Sequence, residues 1–277
     1  DSLALGGNVR FDGPVAIRMP GRLQVASGGV IYAANDVLLA APYVGLGQAF
    51  RPPSLPGQEP FIFTQTDAAG VTSQLPLAPT FGSGRLTVIA DLIDVGNLSL
   101  QGIGNARLSA RRGDIRGNGT LSMAGNLVLE AGQVYPTTLR AFNLFAHDYT
   151  TGAGPQQGSI TILGGGARDL PLSGGGTLSL YASAIRQHGT LRAPIGVINL
   201  GWNGSGTAPV DPIALTSRPS PVTTDLELGA GSVTSVSAVD PRTGRGLLIP
   251  YGISLDGISW IDPAGNDITV GGVPGKQ

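Results

Sequence analysis

The chain has 277 residues, with 44 Gly, 21 Pro, 13% charged and 41% hydrophobic residues, and a net charge of −1. That much apolar material argues against disorder, the balanced charge excludes a generally basic nucleic-acid binder, and no 18-residue apolar run offers a transmembrane helix. Without cysteine there is no disulfide, thiolate metal site or cysteine nucleophile. His147 and His188 lack the short spacings to a second ligand that a zinc site uses.

In chain order, the opening Asp1-Ser-Leu-Ala-Leu has no Met; it reads as the product of a removed signal peptide or, preferably, as a piece of a longer chain. Residues 48–82 are Pro-rich, with a hairpin expected at 60–65. Short strands with alternating apolar positions, closed by Gly or Asn, are predicted at 84–90, 97–102, 120–125 and 126–132. Residues 136–157, holding Phe142, Phe145, His147 and Tyr149, interrupt the pattern. Strands resume at 158–163, 176–182 and 196–201, and the proline-bearing stretch 205–224 interrupts them again. Helical periodicity is nearly absent, so the fold class is all-β. The three interruptions read as insertions projecting from a single domain over 1–277.

The strands repeat at a near-constant interval. Gly96-Asn97 recurs as Gly117-Asn118 and Gly104-Asn105 as Gly125-Asn126, while Leu100, Leu108 and Ala110 return as Leu121, Leu129 and Ala131, all 21 residues on. Leu178 and Leu180 find Ile198 and Leu200 at an offset of 20. A period of about 20–21 residues with two or three short strands and Gly turns predicts a β-solenoid, each coil stacking in parallel on the last. Alternation then sends Ala106, Leu108, Ala110, Leu127, Leu129 and Ala131 inward and Arg107, Ser109, Arg111, Val128 and Glu130 outward. Matching Asn corners suit a stacked amide ladder.

The phrases at 108–132, 175–185 and 189–201 resemble those of the filamentous haemagglutinin-like secreted proteins of Gram-negative bacteria, over some two thirds of the chain. The resemblance implies a right-handed parallel β-helix, export by two-partner secretion through an outer-membrane transporter, and display at the bacterial cell surface as part of a fibre or adhesin. It also implies partners: the transporter, further copies or segments of the same fibre stacked coil on coil, and a glycan of a host or neighbouring cell. That family's amino-terminal secretion domain is not recognisable here. The ending Val270-Gly-Gly-Val-Pro-Gly-Lys-Gln277 carries no charged or helical cap, which is read as a parent chain that continues or as copies stacking end to end.

Candidate contact residues are few. Arg107, Arg111, Arg112 and Arg116 offer an anion-binding wall, although Asp114 and Glu130 nearby favour a solvated, balanced face. Trp202 and Trp260 offer sugar-stacking surfaces, or cover a coil end or a loop. The carboxylate pairs Asp91/Asp94 and Asp225/Glu227 are the nearest approach to lyase or hydrolase groups, but no acidic position recurs at the coil offset. The Gly164–Gly166 and Gly174–Gly176 runs lack the residues of a phosphate loop. No catalytic residue, cofactor or metal is therefore expected. The reading is a non-enzymatic extracellular structural or adhesive module, against a self-assembling filament subunit, a glycan-binding module using the inserted loops, or a β-helix polysaccharide lyase or hydrolase.

Overall fold

The computed structural model describes residues 1–48, 64–66, 69–70, 72–74, 77–164, 168–248, 261, 267, 269–270 and 273–274. It is an all-β molecule built on one large, mostly parallel sheet, an arrangement consistent with a β-solenoid. The sole helical element among the described residues is the single turn Leu215–Ser217.

Parallel pairing sorts the strands into three ladders. Ladder 1 takes Ser2–Leu5, Arg22–Val25, Tyr43–Leu46, Leu92–Val95, residues 114–117 and 133–136, Thr190–Arg192 and Val233–Ser235. Ladder 2 takes Val9–Phe11, Val30–Ala33, residues 98–101, Gly119–Ala124, Ala141–His147, Thr177–Ala182 and Val197–Leu200. Ladder 3 takes Val15–Arg18, Asp36–Ala40, residues 85–89, 105–110 and 126–131, Ser159–Gly164, Ala184–His188 and Asp225–Leu228. Where nothing intervenes, the step along a ladder is 19 to 23 residues, as in Ile115↔Val134, Leu23↔Val44 and Leu98↔Leu121.

Alternation decides what each ladder buries. Leu39, Val88, Leu108, Leu129 and Ile162 stack in one column of ladder 3, all fully buried, while their neighbours point away. One apolar cluster runs continuously from Phe11 to Leu191. Burying aliphatic area at roughly 25 cal/mol per Å² makes these columns the main stabilising term. The next residue in that column is Gln187, buried yet satisfied: its amide donates to the Gly189 and Val233 carbonyls and accepts from the Gly189 N–H.

The repeat spacing matches the register at Asn105↔Asn126, Leu108↔Leu129, Ala110↔Ala131, Leu178↔Ile198 and Leu180↔Leu200. It does not match at the neighbouring corner. Leu121 pairs with Leu98, not Leu100, and Val95 with Gly117, because the chain there takes a step of 22 to 23 residues. Nor are the strands all short. Leu98–Gly117 runs for 20 residues and serves all three ladders, turning at Gly102, whose φ is +70°, and with a bulge between Ala110 and Asp114.

Gly82, Gly104 and Gly125 stack at one bend, where a Cβ on Gly104 would lie 2.5 Å from the Gly82 oxygen, and one on Gly125 would lie 2.2 Å from the Gly104 oxygen. Gly125 also has φ +130°, which an L side chain resists.

The stretches read as insertions differ among themselves. Of 48–82, most of the expected hairpin at 60–65 lies outside the described residues, and Thr64–Thr66 pairs antiparallel with Thr72–Gln74. Of 136–157, Ala141–His147 is a ladder strand, because its buried Phe142 and Leu144 keep the alternation, and Tyr149–Thr151 and Gly154–Gln156 form a small hairpin. Of 205–224, the part from Asp211 onward does not project but lies against the outer side of ladder 2, while 205–208 are exposed.

Candidate functional site

The four arginines singled out in the sequence do not share one wall: Arg107 stands on ladder 3, Arg116 on ladder 1, and Arg111 and Arg112 at the bulged corner between them. Each has an acidic partner. Arg107 and Arg111 donate to the two oxygens of Glu130, at 2.6 and 2.7 Å, and Ser109 donates to the same carboxylate at 3.0 Å. Burial works to raise the Glu130 carboxyl, but these three hydrogen bonds outweigh it and hold the group below its ordinary value. Arg112 reaches Asp91 at 3.1 Å. Arg116 grips Asp94 bidentately, at 2.6 and 3.0 Å, a geometry that suits the planar guanidinium. Tyr43 donates to the same Asp94 at 2.8 Å, and burial together with that carboxylate pushes the phenol up to about 12.

Arg111 and Arg112 also line an open groove of about 520 Å³ with Arg18, Met19 and Asp91. Further along ladder 1, burial raises the Asp114 carboxyl despite the Gln133 amide and Arg168 beside it. These outer faces are thus a lattice of compensated charges.

The other candidates fall elsewhere. Trp202 is half-buried, with its indole N–H donating to the Ser205 carbonyl at 2.7 Å and its backbone N–H to Thr223 Oγ1. Trp260 lies outside the described residues. Asp225 and Glu227 share an outer face as parity requires, facing Arg186 and His188 at 3.5 Å each. Asp91 and Asp94 are engaged by separate arginines. Among the described residues no cluster of three or more His, Cys, Asp or Glu has a geometry to hold a metal.

No protein-family model, curated protein or solved structure matches this chain.

The constellation that spacing did not reveal is buried under residues 205–224. Asp211 Oδ2 accepts from Ser122 Oγ at 2.5 Å and from His147 Nε2 at 2.8 Å, and all three residues are at most 2% exposed. Asp211 Oδ1 accepts from the Ile213 and Ala214 N–H groups. His147 Nδ1 lies 3.1 Å from the Pro219 carbonyl. Both ring nitrogens therefore face oxygen acceptors, and only the doubly protonated imidazole donates to both. Burial alone would raise the Asp211 carboxyl, but the His147 and Ser122 hydrogen bonds hold it below its ordinary value.

Serine, histidine and aspartate invite comparison with a hydrolase triad, and the geometry argues otherwise. Here serine and histidine bond the same carboxylate oxygen, whereas a nucleophile needs its proton aimed at the histidine. The cluster joins a loop to a sheet. Ser122 and Asp211 are 89 residues apart, and His147 and Asp211 are 64 apart, so no local signal in the sequence connects them.

Proposed function

We propose that the chain is a right-handed parallel β-helix of about 20–21 residues per coil with inserted loops, serving as a non-enzymatic extracellular module of a large surface-exported fibre or filamentous adhesin. One observation carries the architectural half: the chain visits ladders 1, 2 and 3 in recurring order with a near-constant step. The right hand follows the strong preference of parallel crossovers. The role as a stiff spacer is supported by the continuous aliphatic columns and by an outer wall whose charges are paired within the molecule. Secretion through a two-partner transporter and cell-surface display rest on the phrases quoted above.

Two measurements test the reading. A crystal structure of the purified chain should show the eight parallel strands of ladder 1 and of ladder 3 stacked over seven spacings of about 4.8 Å, roughly 34 Å, with right-handed crossovers; antiparallel ladders or left-handed crossovers overturn the architecture. Fused behind a two-partner secretion domain and co-expressed with its transporter in a Gram-negative host, the chain should become accessible to antibody on intact cells. Retention inside the cell overturns the export role.

A further inference from the structure

Residues 205–224 leave the sheet after Val197–Leu200 and return to it at Asp225–Leu228. Between these points they are fastened to ladder 2 at several levels. At the near end Thr223 Oγ1 donates to the Ala182 carbonyl, and the Thr224 N–H to that of Ser183. One level on, the Pro219 carbonyl meets His147. Arg218 donates to the Asp148 carbonyl and, across 139 residues of sequence, to that of Pro79. A further level on, Asp211 holds Ser122. At the far end the Ile213 carbonyl accepts from the Leu77 N–H, and Ile213, Leu77 and Val30 form a small apolar cluster of their own.

From Thr177–Ala182 to Val30–Ala33 is four strand spacings along ladder 2, about 19 Å. The outward side chains beneath, Thr120, Ser122, Phe145 and His147, are as buried as those of the core. In a solenoid each repeat otherwise touches only its neighbours, so openings at the two ends are nearly independent.

We infer that residues 205–224 are an axial tie that couples distant levels of the stack, so that strands near Val30–Ala33 and strands near Ala184–His188 open together. The inference rests on the solenoid reading of the three ladders. Mechanically, a tie of this kind turns a stack that peels from its ends into one cooperative unit, as suits a spacer under tension.

The test is hydrogen exchange followed by mass spectrometry along a urea series. In the native protein, peptides covering Val30–Ala33 and Ala184–His188 should lose protection at the same urea concentration. In Asp211→Asn the two midpoints should separate, with exchange at Ala184–His188 at least tenfold faster while Val30–Ala33 keeps most of its protection. Arg218→Ala, which leaves no buried charge unpaired, should act in the same direction more weakly and serves if the first variant does not fold. The chain lacks cysteine, so a Leu77→Cys/Ile213→Cys pair added to either variant should restore coincident midpoints when oxidised and lose them on reduction. Midpoints that differ in the native protein, or that fall together in the variants, overturn the tie. Absence of protection at residues 105–110 and 126–131 in the native protein would instead overturn the ladder reading beneath it.

Discussion

Asp211 joins a loop to a sheet through a buried carboxylate that accepts from Ser122 and His147. Its carboxyl is depressed, so its contribution is complete above the ordinary carboxylate value and is lost as pH falls through that value towards the depressed one. Between pH 6 and pH 3 the urea midpoint of the native protein should therefore drop. Asp211→Asn should start lower and drop less; an equal drop in both proteins would count against the assignment. Gly125 is the matching backbone case. With φ +130° and the Gly104 oxygen where a Cβ would sit, Gly125→Ala should cost roughly 1–3 kcal/mol, read as a lowered midpoint in chemical denaturation.

At the scale of the strand and its ladder, the two faces carry unequal weight. Leu129→Ala removes a fully buried side chain between Leu108 and Ile162 and should cost about 2–5 kcal/mol. Arg107→Ala removes one exposed partner of a carboxylate that keeps Arg111 and Ser109, and should cost no more than about 1 kcal/mol. Equal losses in denaturant midpoint would show that the wall, not the column, holds the sheet. The arginines were visible in the sequence as a cluster; their neutralisation was only partly visible. Glu130 lies 23, 21 and 19 residues from Arg107, Ser109 and Arg111, one ladder step away, and the coil offset alone points to such contacts. The Arg116–Asp94 pair, 22 residues apart, follows the same rule. Polyanion binding at these arginines would have to displace those carboxylates, so retention on a sulfated polysaccharide column should be lost well below 0.1 M salt.

At the scale of the molecule, the insertions set how the levels communicate. Ladder pairing links neighbours, whereas Arg218 to Pro79 and Ile213 to Leu77 link levels that pairing leaves apart. Thermal unfolding of the native protein should accordingly give one calorimetric transition, and Arg218→Ala a broadened or split one.

The all-β class, the 21-residue step and the inward faces of 106–110 and 127–131 were open to reading because period-2 alternation and recurring Gly-Asn corners are local properties that survive without any distant contact. The step of 23 at Leu98↔Leu121, the ladder role of Ala141–His147 and the folding back of 205–224 were decided only in three dimensions. A corner absorbs one or two residues without changing which side chains face inward. Whether a loop projects or docks depends on groups such as Ser122, His147 and Asp211, which meet only after the ladders have formed. Burying a charge is tolerated only where its partners are already in place, and in this chain the stacked strands put them there.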